Sequence, residues 1–253
     1  MHQKARTAFF FASMLLLAAR VCPAADTIPF KPGEKLHYSI YWEDTAAGEV
    51  TFDVTPMAAV NGIPAYHFTM NSAISPLLNA VLMISDHIES YADTAMAHAL
   101  LYKERTSGTA GQDVTVTFDW QKRQAQYSCN GTKYRPATLL PGAFDPLSVI
   151  YALRLLDLKG IKEFSRPVSD GLTCAVVRAG VLGKHKVRVE SGEYDAYVIA
   201  PQLAGFSTLL DTLSGATVRL WISADERRLP VKIMCGLPLG NFRAELKSSK
   251  TGD

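Results

Sequence analysis

Apolar and polar residues alternate with a period of two along most of the chain. In the run from Leu36 to Glu43, the even positions are apolar and most of the odd positions are polar. A strand with one buried and one solvated face has this pattern, because successive side chains point to opposite sides of a sheet. The run therefore predicts a half-buried strand.

Further short segments have the same alternation and are separated by Gly, Pro, Asn and Asp. They lie at 50–55, 66–70, 88–92, 100–105, 114–120, 124–129, 172–177, 186–190, 194–199, 218–222, 231–235 and 242–246. Long helices do not alternate with them, which argues against a doubly wound α/β enzyme. The pattern predicts a mainly β protein, a curved antiparallel sheet or open β-barrel with two short helices packed on it.

Two segments have apolar residues at helical spacing. The first, at about 75–84, opens with Ser75 and Pro76. The second, at 145–157, has Asp145 as its predicted N-cap and Pro146 at the first helical position, and Gly160 follows its end. Each apolar stripe needs a partner, which one apolar face of the sheet supplies.

The first 24 residues have the three parts of a secretory signal peptide. Basic residues at the start precede an apolar stretch at 8–19 and a small-residue end, Cys22-Pro23-Ala24. The apolar stretch is about a dozen residues long, whereas a membrane span needs about 20. We therefore predict cleavage after Ala24, a periplasmic location and a single mature domain at 25–253. Cys22 raises a lipoprotein alternative, but Arg20 and Val21 before it make a poor lipobox.

Composition and charge exclude several classes of protein. With 48% apolar and 20% charged residues the chain is typical of globular proteins. The basic residues of the leader account for the small positive charge, so a general nucleic-acid-binding surface is not expected. The mature chain keeps Cys129, Cys174 and Cys235, which allow at most one internal disulfide and have no zinc-finger spacing. Whether two of them pair stays open.

No catalytic motif is present. The five histidines of the mature chain are scattered singly, and no Gly-x-Ser-x-Gly, P-loop or dinucleotide-binding motif occurs. We therefore expect a protein that is not an enzyme and holds no cofactor or metal. The run 219–233 predicts a hairpin whose charged turn, Asp225 to Arg228, is solvated.

Several motifs together resemble the DUF3108 family of bacterial exported proteins. They are Phe30-Lys31-Pro32-Gly33-Glu34 with Tyr38-x-Ile40-x-Trp42, Asp145-Pro146-Leu147-Ser148 with Tyr151-Ala152-Leu153-Arg154, Gly192-Glu193-Tyr194-Asp195-Ala196, and Trp221-Ile222-Ser223-Ala224-Asp225-Glu226-Arg227-Arg228-Leu229-Pro230-Val231. The likeness covers nearly the whole mature chain but implies no catalytic residue. The hairpin at 221–231 also resembles, more loosely, the open-barrel periplasmic carriers of lipoproteins.

The leading functional hypothesis is a binding or carrier protein for an apolar ligand such as a lipid or acyl chain. Five large aromatic residues expected on the inward face are the candidate cavity residues: Trp42, Phe52, Phe118, Trp120 and Trp221. The same residues are equally compatible with simple core filling. One alternative is an assembly factor of the cell envelope that contacts proteins, and another is a hydrolase with a dispersed site. The apolar stretch 199–213 is either the contact surface of such an assembly factor or the lid of the ligand cavity. Peripheral contact with a membrane fits the first two, and the oligomeric state is not determined.

Overall fold

A computed structural model describes residues 28–75, 87–106, 111–202, 217–237 and 240–252. Its strands are β1 (Lys35–Trp42), β2 (Thr45–Val60), β3 (Ile63–Ile74), β4 (His87–Asp93), β5 (Ala99–Thr106), β6 (Gln112–Asp119), β7 (Gln124–Cys129), β8 (Thr132–Lys133), β9 (Ala137–Thr138), β10 (Glu163–Ser169), β11 (Cys174–Val189), β12 (Gly192–Gln202), β13 (Thr217–Ser223), β14 (Pro230–Leu237) and β15 (Gly240–Lys250). The helix α1 spans Ser148–Leu153. The predicted signal peptide, nearly all of the predicted helix at 75–84 and residues 203–213 of the apolar stretch lie outside the described residues.

All the strands belong to one antiparallel sheet, which confirms the predicted fold class. The order along the sheet is β10-β11-β12-β13-β14-β15-β1-β2-β3-β4-β5-β6-β7-β8, and β9 pairs with β7. Strands that follow one another in sequence pair with each other, with two exceptions: β9 pairs with β7 and not with β8 or β10, and β1 also pairs with β15. The first and last strands therefore meet in the middle of the sheet, whose edges are β10 and β8.

The alternation seen in the sequence gives the sheet one apolar face, which we call the inner face. On β1 the even residues from Leu36 to Ile40 are buried. The inner face continues onto the two neighbouring strands, because Tyr38 pairs in register with Val50 on β2 and with Leu246 on β15. The odd residues, such as His37 and Ser39, lie on the opposite, outer face.

A segment at 139–158, here called the crossing segment, runs from β9 to β10 and so connects the two edge regions of the sheet. Phe144 forms an isolated parallel bridge with Val168 of β10, and the N–H of Leu140 donates to Sγ of Cys174 at 3.3 Å. The three described cysteines are free and half-buried. The crossing segment therefore bridges an otherwise open sheet.

The helix in this segment is shorter than the predicted span of 145–157. Asp145 does cap its start, since Oδ1 accepts the N–H groups of Leu147 and Ser148 at 2.9 Å each. The regular helix ends at Leu153. Beyond it, the guanidinium of Arg228 donates hydrogen bonds to the carbonyls of Arg154 and Leu155, at 3.2 and 3.0 Å. The side chain thus satisfies carbonyls left free at the helix end. No helix within the described ranges has the length and apolar character needed to cross a membrane.

Candidate functional site

The burial of the inner face falls steadily from one end of the central strands to the other. On β1 the exposed fraction is 1% at Leu36 and 8% at Ile40, and Trp42 is only half-buried. On β15, Leu246 is fully buried whereas Phe242 is half-buried. Strands β2 and β3 show the same trend. We call the two ends the closed end (Leu36, Tyr38, Val54, Phe68 and Leu246) and the open end (Trp42, Met70, Ile74, Ile233, Cys235, Phe242 and Ala244).

The crossing segment fills the closed end. The ring of Tyr151 stacks on Phe68 with centroids 3.9 Å apart and an interplanar angle of 12°, and it meets Phe30 edge-on at 5.2 Å. All three rings are at most 3% exposed. Aromatic contacts of this kind add to the free energy gained from burial itself, so they hold α1 against the sheet.

A buried ion pair fastens the end of α1 to the start of β1. The guanidinium of Arg154 donates to both carboxylate oxygens of Glu34, at 2.5 and 2.9 Å. It also donates to the carbonyls of Pro29 and Arg227 at 3.1 and 3.0 Å. Its Cζ lies 5.2 Å from the ring centroid of Phe30. The bidentate geometry and the two carbonyls compensate for removing both charges from water.

The charged turn at 225–228 was predicted to be solvated, but part of it makes hydrogen bonds to the crossing segment. Asp225 and Glu226 are exposed, as expected, but the carbonyl of Arg227 accepts from Arg154. Arg228 is half-buried and donates to the two carbonyls that follow α1. Three of the motifs behind the family resemblance, around Glu34, Arg154 and Arg228, thus meet in one network at the closed end.

A second buried polar group lies where the crossing segment meets β4. Asp145 is fully buried, and its Oδ2 accepts the hydroxyls of Ser90 and Ser148 at 2.6 Å each. Burial raises the pKa of Asp145, and the hydrogen bonds from the serines and from backbone N–H groups oppose that shift. Four donors satisfy this carboxylate, so its role is to position the crossing segment.

The open end has a different character. One row of inner-face positions there crosses five strands in register: Ile233, Ala244, Ile40, Gly48 and Ile74. At about 4.8 Å between strands this row is about 19 Å wide. Ile233, Ala244 and Ile74 are half-buried. The sheet therefore presents a continuous apolar strip that the described residues cover only in part.

An aromatic pair stands at the rim of this strip. Trp42 and Phe242 occupy paired positions and their rings are parallel within 8°, with centroids 6.3 Å apart. Gly240 allows the indole to lie against the backbone, since a Cβ at this position would overlap Nε1 of Trp42. Beside the strip is a surface cleft of about 400 Å³. Its lining residues are Ser39, Ile40, Tyr41, Ala46, Ala47, Gly48, Glu49 and Ser75.

The outer face carries a polar cluster centred on Glu89. Its carboxylate accepts the hydroxyl of Tyr91 at 2.7 Å and lies 3.3 Å from Nε2 of His87 and 3.4 Å from Nζ of Lys103. Burial raises the pKa of Glu89, but these partners together outweigh it and lower the pKa to about 2. Across the described ranges, no group of three or more His, Cys, Asp or Glu residues could hold a metal ion. The cluster is a network of surface charges rather than a metal centre.

The structure does not bring the five predicted cavity residues together. Trp42 lies at the open end, and Phe52 is on the inner face but buried, with its ring 5.2 Å from that of Tyr38. Phe118 and Trp120 belong to the cluster packed around the crossing segment, where Nε1 of Trp120 donates to the carbonyl of Ala99 at 2.7 Å.

Trp221 lies on β13 between an apolar and a charged neighbour. It pairs with the buried Val198 on β12 and with Lys232 on β14, whose Nζ lies 5.9 Å from the indole centroid. The indole is half-buried and packs against the core cluster that contains Tyr38 and Leu246. The predicted strand is correct.

Sequence reasoning missed Glu34 and Arg154, the charged pair at the centre of the closed end. One signal was available, because Arg154 falls within the apolar stripe of the predicted helix. A charge in such a stripe needs a buried partner. The sequence did not indicate Glu34 as that partner, since the two residues are 120 positions apart.

The sheet and its crossing segment together define the class of fold. It is an open, barrel-like antiparallel sheet, and the crossing segment covers one end of its inner face. The same fold is found in a beta-barrel-like protein of the domain of unknown function DUF1849 from Brucella abortus. That structure matches with a TM-score of 0.52 and 8% sequence identity, over 88% of this chain and 99% of the other.

A protein with a YmcC-like fold from Bacteroides fragilis matches at a TM-score of 0.33 and 7% identity, over 88% of this chain and 98% of that one. No curated protein matches the chain in sequence. Residues 37–247 match the family described as protein of unknown function (DUF3108), so the chain belongs to the DUF3108 family. This confirms the family that the motifs indicated.

Proposed function

We propose that this protein is an exported, non-catalytic binding or carrier protein for an apolar ligand, a lipid or acyl chain, which it holds at the open end of its inner face. Two parts of the sequence and structure support the proposal. One is the leader-like segment at 1–24, which is typical of export to the periplasm. The other is the apolar strip at the open end.

The observation that carries the proposal is the loss of burial toward the open end. Ile74, Phe242 and Trp42 lie on the inner face, yet all three are half-buried. Phe242 pairs in register with Trp42 on one side and with Cys235 on the other. Exposed apolar area costs roughly 25 cal/mol per Å². A continuous apolar strip on a curved face is therefore a favourable place for an apolar ligand.

The closed end does not suit a ligand equally well. Tyr151, Phe68 and Phe30 already make stacked and edge-on contacts there, and Arg154 and Glu34 are joined by two buried hydrogen bonds. A ligand would have to displace these contacts. The strip needs no such displacement, because its half-buried side chains keep part of their surface free.

Measuring how a fluorescent apolar probe, N-phenyl-1-naphthylamine, binds to the delipidated mature protein tests the proposal. Trp42→Gln and Ile74→Gln place polar atoms in the strip and are expected to weaken probe binding by about tenfold or more. Leu182→Gln is the matched control, since Leu182 is 56% exposed on β11 away from the strip. It should leave the affinity unchanged.

Native mass spectrometry of the exported protein, followed by organic extraction, identifies the ligand class. A co-purifying lipid or acyl compound that is lost from the Trp42→Gln variant supports the proposal. If the probe binds all three variants like the unmodified protein, and no apolar compound co-purifies, the open end is not a ligand site. The alternative of an envelope assembly factor that works through protein contacts would then be the better explanation.

A further inference from the structure

The hairpin of β2 and β3 extends beyond the rest of the sheet. Pairing of β2 with β1 ends at Asp53, and pairing of β3 with β4 ends at Ala65. The carbonyl and N–H of Val54 are still hydrogen-bonded to residues 33 and 34, but among the described residues no strand other than β2 and β3 themselves pairs with positions 56–64. We call these nine residues the hairpin tip. It projects from the closed end, opposite the proposed ligand strip.

The hairpin tip is apolar and uncharged. Its sequence is Pro56-Met57-Ala58-Ala59-Val60-Asn61-Gly62-Ile63-Pro64. Met57 and Ile63 are 44% and 49% exposed, and Val60 is half-buried. Some other turns of the sheet carry charges, such as Lys122 and Arg123 between β6 and β7. Exposed apolar side chains concentrated on one projecting element mark a contact surface.

The backbone holds the hairpin tip in one shape. Asn61 and Gly62 both have positive φ, at 51° and 82°, which is the geometry of a tight type I′ turn. At its base, two residues of β2, Pro56 and Met57, lie opposite one residue of β3. This irregularity is a bulge, which bends the strand away from the sheet. The apolar side chains are therefore presented with little loss of conformational entropy on binding.

Basic residues surround the base of the hairpin tip. Lys35 on β1 pairs in register with Lys250 on β15, and Lys31 is exposed in the turn that leads to β1. Among the nearby carboxylates, Asp53 lies 3.5 Å from Lys35 and Glu34 is buried against Arg154. A third, Asp93 of β4, accepts the N–H groups of Ala97 and His98. Lys31 and Lys250 thus add positive charge beside an apolar tip.

We propose that the hairpin tip docks on the surface of a bilayer that contains anionic lipids. Met57, Val60 and Ile63 enter the boundary between headgroups and acyl chains, and Lys31, Lys35 and Lys250 face the anionic headgroups. The three steps along the strand from Met57 to Val60 rise about 10 Å at roughly 3.3 Å each, which is similar to the depth at which interfacial elements insert. Apolar insertion combined with basic residues at the surface is the pairing that binds anionic membranes.

Co-sedimentation of the mature protein with lipid vesicles tests this docking. Vesicles of phosphatidylglycerol and phosphatidylethanolamine should bind the protein, and vesicles of phosphatidylcholine alone should bind it several-fold less. Met57→Asp combined with Ile63→Asp is expected to weaken binding to the anionic vesicles by about tenfold or more. Val176→Asp combined with Leu182→Asp is the matched control, because both residues are exposed apolar positions on β11.

The remaining arms separate docking from ligand binding. Lys31→Gln with Lys250→Gln should remove the preference for anionic vesicles, and raised salt should do the same. Trp42→Gln, which alters the ligand strip, should leave vesicle binding unchanged. If the unmodified protein does not bind anionic vesicles, or if the hairpin-tip variant binds as well as the β11 control, the docking proposal is wrong. If the hairpin tip contacts a protein instead of a bilayer, the unmodified protein will not bind anionic vesicles.

Discussion

The two ends of the inner face are built from the same alternating strands, yet they differ in what completes them. At the closed end a segment of the chain itself supplies the missing side chains, including Tyr151 against Phe68 and Arg154 against Glu34. At the open end the described residues leave Trp42, Ile74 and Phe242 half-buried. The comparison teaches that one strand can be fully packed at one end and leave apolar side chains partly exposed at the other.

The difference extends to polar chemistry. The closed end contains a buried ion pair and a buried aspartate, each of which makes several hydrogen bonds. Such groups are costly to disturb, because removing one partner leaves the other buried and unpaired. The row of inner-face positions at the open end has no charged side chain. Substitutions there should therefore cost less stability, because they leave no buried charge without a partner.

The largest expected effect is at the buried ion pair. Arg154→Met leaves the Glu34 carboxylate buried without its partner and should lower the free energy of unfolding by about 3 to 5 kcal/mol. Arg154→Met combined with Glu34→Leu removes both charges and should recover much of that loss. Equilibrium unfolding in urea measures both variants. A loss below about 1 kcal/mol for Arg154→Met would show that the closed end does not depend on this pair.

A matched pair of truncations compares the two ends directly. Phe68→Ala removes a fully buried ring that stacks on Tyr151 and should cost about 3 to 5 kcal/mol. Trp42→Ala removes a larger side chain, but one that is only half-buried, and should cost about 1 to 2 kcal/mol. Urea unfolding of both variants measures the difference. Equal costs would mean that the open end is as tightly packed as the closed end.

The smallest expected effect is a change in tyrosinate absorbance from the two buried tyrosines of the closed end. Burial raises the pKa of Tyr38 and of Tyr151 above the ordinary value. In the unfolded protein both tyrosines ionise near pH 10, whereas in the folded protein they stay neutral at that pH. The stability that they contribute is therefore lost as the pH rises above about 10. In an alkaline titration followed by tyrosinate absorbance, Tyr38→Phe should leave the signal of the folded protein unchanged.

A different outcome would contradict the comparison between the two ends. If Tyr38→Phe reduces the absorbance change of the folded protein, hydroxide reaches the closed end before unfolding, and the contrast between the two ends is not real.

Most strands could be predicted from the sequence, because alternation reflects a property of each strand alone. The failures have local reasons. The segments at 172–177 and 186–190 are parts of one strand, β11, in which Gly180 and a bulge near Gly183 interrupt the alternation. Strand β10 was not predicted, since its pattern is weak and it contains Pro167, a residue that is tolerated at a sheet edge.

The candidate site was less predictable than the fold. Aromatic residues on alternating positions indicate one face of a strand, but not how deeply each position is covered. Trp42 and Phe118 looked equivalent in sequence, and only the placement of the crossing segment puts Phe118 in a filled cluster and Trp42 at the open end. Trp221 lies between Val198 of β12 and Lys232 of β14, and the local pattern of its own strand did not indicate either neighbour.

The sequence by itself determined the β-rich class, the inner and outer faces of most strands and the capped start of α1, because these depend on residues close together in the chain. Only the tertiary structure decided that β1 lies beside β15, that Arg154 meets Glu34, and that one end of the inner face is filled while the other is left partly open. Those outcomes depend on contacts between distant residues, and a local pattern of polarity carries no information about which distant residues will meet.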